Sequence, residues 1–277
     1  MIRTKSRAPA FSIALALATI ALSARAATPL VVTGFNQDIV VENSAPGAGQ
    51  NNQPFVNATM DNGTLVTGGT FYQQSTTGTT GGLPAAGTPV TSLFNPASTF
   101  VFQPYQGNNA LLLAGQNAVS RTGTLTLAIP TRLSNLALFG ATGNAGGATN
   151  QNDTVVVNFA DLSPPQTFTV NSLAQDWFNG NQAALQVAGR FNNVVTGGID
   201  NTGTTNPRIY EDDIDLSAFS THPVASLTIT FNATSANQNN GGYNAIVAVS
   251  GTVVPEPATL GFLTITAIPL LTRRRRV

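Results

Sequence analysis

The chain has 277 residues, no cysteine and a formal net charge of zero, so neither disulfides nor thiolate metal sites can brace it and a packed core must. The neutrality hides an asymmetry: between residues 27 and 254 only Arg121, Arg132, Arg190 and Arg208 stand against eleven carboxylates, a net charge of −7. Such a body has nothing to neutralise a row of phosphates, which argues against a nucleic-acid partner.

The first 26 residues read as a signal peptide. Arg3, Lys5 and Arg7 form a positive leader, and Ala10 to Ser23 is an apolar run shorter than the roughly 20 residues a membrane span needs. Ala24 and Ala26 place small residues at −3 and −1, so the expected cleavage leaves Ala27 at the mature N-terminus. Signal peptidase is the implied partner, and export across a bacterial inner membrane the implied route.

From residue 27 to 253 the chain is a succession of short apolar or alternating runs separated by Gly, Asn, Asp and Pro, without an amphipathic helical period. Expected strands are Leu30 to Phe35, Asp38 to Glu42, Phe55 to Met60, Thr64 to Thr70, Thr99 to Gln103, Ala110 to Ala114 and Thr122 to Ile129. They continue with Leu133 to Phe139, Thr154 to Ala160, Gln166 to Val170, Ala184 to Phe191, Arg208 to Leu216, Val224 to Asn232 and Tyr243 to Ser250.

Asn62-Gly63 marks a hairpin turn, the stretch from Gln73 to Pro89 a long loop or flexible joint, and Ser172 to Phe178 the one helical turn, with Ser172 as its cap. In two strands Leu125, Leu127 and Ile129 alternate with Thr124, Thr126 and Ala128, and Leu227, Ile229 and Phe231 with Thr228, Thr230 and Asn232. That period of two belongs to half-buried antiparallel strands. The expected fold is all-β, one jelly-roll-like antiparallel β-sandwich.

Two clusters invite a site. Trp177, the only tryptophan, reads either as a stacking platform for a glycan or as core. Glu211, Asp212, Asp213 and Asp215 concentrate carboxylate oxygen that could hold a structural Ca²⁺, without the spacing of an EF-hand. The alternative is a solvated strand whose Asp213 and Asp215 face water while Ile214 and Leu216 face the core. For catalysis the sequence offers one histidine, His222, and no nucleophile elbow to partner it, so no enzyme and no catalytic cofactor are expected.

The chain ends Val254-Pro255-Glu256-Pro257, then a largely apolar stretch from Leu260 to Leu271, then Arg273, Arg274, Arg275 and Arg276. Prolines on both sides of Glu256 block helix and ladder alike, and the arginines hold the last residues on the cytoplasmic side. The twelve-residue apolar stretch contains Thr264, Thr266 and Pro269, so it suits a short hydrophobic helix and transient membrane association better than a permanent span.

The order of triplet, apolar segment and arginine cluster over residues 254–277 resembles the PEP-CTERM sorting signal. The resemblance implies recognition by an exosortase, cleavage near Pro255 to Pro257, and a destination at the cell surface or outside the cell. Between the ends, Gly34-Phe35-Asn36-Gln37-Asp38, Asp176-Trp177-Phe178 and Ala188-Gly189-Arg190 are similar to ectodomains that precede such tails, with a galactose-binding-like sandwich as the fold analogy. The implied function is a non-catalytic surface or extracellular-matrix protein, with a carbohydrate-binding module touching extracellular polysaccharide as the alternative and a secreted hydrolase third.

Overall fold

The computed structural model describes residues 26–42, 56–61, 68–74, 80–114, 121–144, 152–192, 198–200, 205–232 and 242–255. Ala24, the Asn62-Gly63 turn, Glu256, Pro257, the Leu260 to Leu271 stretch and Arg273 to Arg276 lie outside the described residues. Among those described, no helix is long and apolar enough to cross a membrane.

In chain order the strands are β1 (Thr28–Pro29), β2 (Val32–Thr33), β3 (Val40–Val41), β4 (Phe71–Tyr72), β5 (Val90–Thr91), β6 (Thr99–Phe100), β7 (Leu111–Ala114) and β8 (Thr122–Gly143). Then follow β9 (Asn152–Phe159), β10 (Gln166–Val170), β11 (Ala183–Gln186), β12 (Arg190–Phe191), β13 (Ile199–Asp200), β14 (Arg208–Asp215), β15 (Pro223–Asn232) and β16 (Tyr243–Val253). The protein is all-β, and its core is an antiparallel sandwich.

The two strands expected around Pro130 are one strand of 22 residues, β8. Its first part, with β2, β15, β9 and β10, forms one half of the sheet. Its second part lies between β14 and β16, with β11 beyond β14 and β7 and β1 beyond β16. The change of half falls where the register with β15 jumps from Thr126↔Ser226 to Thr131↔Val224. Pro130, which has no N–H to give a ladder, sits inside that irregularity, where its loss costs no strand bond.

The two halves enclose one core. Leu125 and Leu127 of β8, Val155 and Val157 of β9, and Leu227 and Ile229 of β15 meet Leu136, Leu138, Ile214, Ile246 and Val249 from the other half. β9 alternates with the regularity expected of a half-buried strand. β16 does not: nine consecutive residues, Tyr243 to Gly251, are buried, because its sheet half is covered on both faces.

The second cover is a layer of loops and two-stranded pieces. Ile39, Val40, Met60, Phe71, Leu83, Phe100, Phe102, Tyr105 and Trp177 pack against Ala137, Phe139, Ala141, Ala245 and Val247. Phe100 stacks on Phe139 with ring centroids 4.1 Å apart.

Three local expectations change. Residues 56–61 form turns and a bridge instead of a strand, since Ala58 and Met60 are drawn into the loop layer. The Gln73 to Pro89 stretch is pinned at Leu83, which is fully buried and bonds through its N–H to Tyr72. The Ser172 to Phe178 turn closes on one bond, Gln175 N–H to Ser172 C=O, and then Asp176 bridges to Thr142; edge pairing with β8 wins over a helix that could make so few bonds.

If the loop layer is core, Phe139→Ala should cost about 3–5 kcal/mol, whereas Thr124→Ala on the exposed side of β8 should cost less than about 0.5 kcal/mol. Chemical denaturation of the two variants measures this. Equal, small losses would mean that the layer does not pack on β8.

Candidate functional site

The four carboxylates of β14 do not converge. Strand alternation sends Glu211 and Asp213 to one face and Asp212 to the other. Glu211 is buried beside Ser92 and Ser98, and Asp213 accepts from Asn95 and Asn135 at 3.1 and 2.8 Å. Asp212 turns toward the core and accepts the Leu173 N–H at 2.9 Å. Asp215 is exposed and caps Ser217. The Ca²⁺ quartet is therefore dissolved by alternation, and Ile214 and Leu216 are buried as the solvated-strand alternative requires.

Trp177 likewise offers no stacking face. It is 2% exposed and meets Phe71 and Phe178 edge-on at 5.1 and 5.2 Å. Its indole lies near the Asp61 carboxylate and helps to offset the burial that raises that carboxyl, which also takes the Arg190 guanidinium at 2.9 Å. Arg190 lies in turn 5.3 Å from the centre of the Phe178 ring. The motif residues Trp177, Phe178 and Arg190 thus gather at a structural cap, held by edge-on ring packing, the Arg190–Asp61 ion pair and the Arg190 guanidinium near the Phe178 ring.

Gly34 to Asp38 is also structural. A Cβ on Gly34, at φ +109°, would stand 2.1 Å from the Thr124 carbonyl oxygen. Asn36 exchanges two bonds with the Leu112 backbone, at 3.0 and 2.8 Å. Asp38 accepts from Asn109 at 2.6 Å.

His222 has partners the sequence did not reveal. Its Nδ1 lies 2.7 Å from Asp161 Oδ2 and 2.9 Å from Ser163 Oγ, and this contact holds the Asp161 carboxyl down at about 2. A Ser-His-Asp relay needs the acid on one ring nitrogen and the serine on the other. Here both sit on Nδ1, so the trio fastens a surface turn and cannot pass a proton.

A cleft of about 550 Å³ is lined by Glu42, Gln73, Pro104, Tyr105 and Gln106, among others. Among the described residues Glu42 is the one carboxylate in its lining, and glycoside hydrolysis by paired carboxylates needs two. Among the described residues, no group of three or more His, Cys, Asp or Glu side chains is placed to hold a metal ion.

The broadest feature is the outer face of the half made by β2, β8, β15, β9 and β10. Paired residues line up there in rows: Thr122, Thr230, Thr154 and Thr169 in one; Thr124, Thr228, Val156 and Thr167 in the next; Thr33, Thr126, Ser226 and Asn158 in a third. Neighbours within a row are about 4.8 Å apart and successive rows about 6.8 Å. Thr122 bonds Thr230 at 2.9 Å and Asn158 bonds Ser226 at 3.2 Å. None of the twelve positions carries a charge. The alternation of Thr124, Thr126, Thr228 and Thr230 was legible in sequence, but their alignment across strands needed the register.

One buried acid is also new. Asp153 shares parity with the core residues Val155 and Val157 of β9, and that parity is the signal that could have found it. It is fully buried, and burial pushes its carboxyl well above the usual range even though Asn244 donates to it at 2.7 Å.

Burial, reinforced by the negative charge of Glu42, raises the Asp38 carboxyl from 3.8 to about 7 against the bonds from Asn109 and Val40. A group raised on folding stabilises fully below its unfolded pKa and loses that contribution as the pH climbs through its folded one. Relative to Asp38→Asn, the protein should therefore lose about 1–2 kcal/mol between pH 4 and pH 7, a figure discounted for partial exposure. Urea denaturation at both pH values reads the difference, and parallel profiles would refute the assignment. Compared with protein-family models and with curated proteins, the chain matches none.

Proposed function

We propose that the chain is an exported, non-catalytic surface or matrix protein, sorted through its PEP-CTERM-type tail, whose threonine rows hold an uncharged extracellular polysaccharide. The rows carry this reading. A flat array of hydroxyl and amide groups can both donate and accept at regular intervals, and a neutral polymer with repeating hydroxyls can meet many of them at once. A net charge of −7 elsewhere on the body leaves an anionic polymer less suited.

Sorting is supported by the exposure of the backbone at the two expected cleavage points. Ala26 is exposed, while Ala27 is buried and bonded to Ala97 and Thr99. At the other end Val254 still bonds the Arg132 carbonyl, and Pro255 is exposed. Cleavage after Ala26 and near Pro255 would leave in place every strand found among the described residues.

Two measurements test the reading. Thr124→Arg combined with Thr169→Arg, both at exposed positions, should leave the melting temperature unchanged and weaken retention on purified neutral exopolysaccharide at least tenfold; equal retention would remove the threonine face from the proposal. Replacing Pro255, Glu256 and Pro257 with alanine should leave a longer protein in the inner membrane. Unchanged fractionation and mass would remove the sorting reading.

A further inference from the structure

Among the described residues six large apolar side chains are exposed, and four of them, Val31, Ile129, Leu162 and Val253, gather at one end of the sandwich. Strand pairing brings them there. The Ala160 N–H donates to the Pro223 carbonyl at 2.8 Å, Pro223 is paired with Arg132, and the Arg132 carbonyl accepts the Val254 N–H at 2.9 Å. That line crosses the end of the sheet in three steps, about 14 Å at the usual strand spacing. Leu162 lies two residues beyond Ala160, Ile129 three before Arg132, and Val253 next to Val254. Val31 joins them through its carbonyl, which accepts the Ala128 N–H at 2.9 Å.

Single exposed apolar side chains are ordinary on a protein surface. A group gathered at one end calls for a cause. Leu162, Ile129 and Val31 are 94, 75 and 71% exposed, and Pro130 beside Ile129 is exposed as well. Leu162 also stands at φ +64°, a turn conformation that glycine or asparagine suits better than leucine. Burial within the fold does not account for a leucine there; contact with an outside surface does.

The same end is where the chain departs. Pro255 is the last residue described, and the apolar stretch Leu260 to Leu271 begins five residues on. Five extended steps reach at most about 18 Å. On the reading that this stretch enters the bilayer, the end bearing Val31, Ile129 and Leu162 is held close to lipid. Apolar side chains from four separate segments suit lipid, which conforms to each as it enters the headgroup boundary, better than a folded partner, which would need a matching surface. The carboxylates of the adjoining turns are engaged: Asp161 by His222 at 2.7 Å and Asp215 by the Ser217 N–H at 2.9 Å.

We propose that this end of the sandwich docks on the lipid surface through Val31, Ile129, Leu162 and Val253, and so holds Pro255-Glu256-Pro257 at headgroup level until processing. The inference rests on the tail reading and not on the polysaccharide reading. The contact is temporary, because a cut near the triplet removes the tether and a few apolar side chains alone hold a body to lipid only weakly.

The test uses the exported, uncut chain, Ala27 to Val277, reconstituted into phosphatidylcholine vesicles. The sequence has no cysteine, so one introduced cysteine carries the only label. Ile129→Cys and Leu162→Cys, each bearing an environment-sensitive dye, should be quenched roughly twofold or more by a nitroxide near the headgroup end of the acyl chain. Thr122→Cys, exposed and seven residues from Ile129, about 23 Å along the strand, should be unaffected. Adding Ile129→Glu to the Leu162→Cys chain should relieve most of the quenching and leave the melting temperature unchanged. Unquenched labels on a chain that survives a carbonate wash overturn the docking and leave the tail reading standing. A chain removed by the wash overturns both. Blue-shifted labels that the lipid nitroxide does not quench also overturn it, since the chain's own apolar stretch or a second copy would then be the cover.

Discussion

Leu136 to Gly143 of β8 and Tyr243 to Ser250 of β16 are buried on both faces of one sheet half, and a two-layer sandwich can cover only one of them. The rest of the architecture follows from that constraint. One face is covered by the other half of the sheet, which β8 itself supplies by running through the bulge at Pro130. The other needs a third layer, built from the stretches around residues 36–42, 56–61, 68–74 and 80–110. These are poor in regular pairing, so their backbone groups must be satisfied one at a time. Side chains do this: Asn36 for Leu112, Asn109 for Ile39, Tyr72 for Ala188, Tyr105 for Pro84 and Ser250 for Thr99. The abundance of Asn, Thr and Gly in the sequence is partly the means of building this irregular layer.

The half of the sandwich that faces water on one side was readable from sequence, because there alternation maps onto burial. β10 spans the residues expected of it, and β9 and β15 differ from expectation only at their ends. Legibility fails where a sheet is covered twice, since an apolar run then carries no phase. It also fails at Pro130, where the local rule that proline ends a strand is sound but the bulge removes the ladder position at which it would apply. Trp177 could not be assigned by type alone. What decides it is Phe71, distant in sequence, which packs edge-on against the indole and helps to bury it.

The acids show the same division. Read along the chain, Glu211, Asp212, Asp213 and Asp215 look like one oxygen cluster; read through strand parity, they belong to different faces. Parity also joins Asp153 to the apolar side of its own strand, a conflict between residue type and position of the kind that marks a functional or strained place. Only the topology brings Asp153 and Asn244, 91 residues apart in sequence, into contact. A carboxylate at an inward position of an otherwise regular strand is therefore more informative than four in succession.

The pairing of β1 with β16, Thr28 to Gly251 and Pro29 to Ser250, brings the first and last strands of the described residues to the same sheet half. The threonine rows belong to the outer surface of the other half, and Val254 leaves its last backbone bond at Arg132, near the bend. In the proposed arrangement, a tether at the C-terminal end pulls on β16, which is hydrogen-bonded along one side to β8 over ten residue pairs. Load on the tail would thus pass from β16 to β8, the strand that both sheet halves share. The hydrogen bond from Asn244 to Asp153 sits on β16 near its opposite end and ties it directly to β9, one of the strands bearing the threonine rows. Tether, β16, shared strand and contact face would then form one mechanical path, and the irregular layer lies on the far side of the sheet from that face.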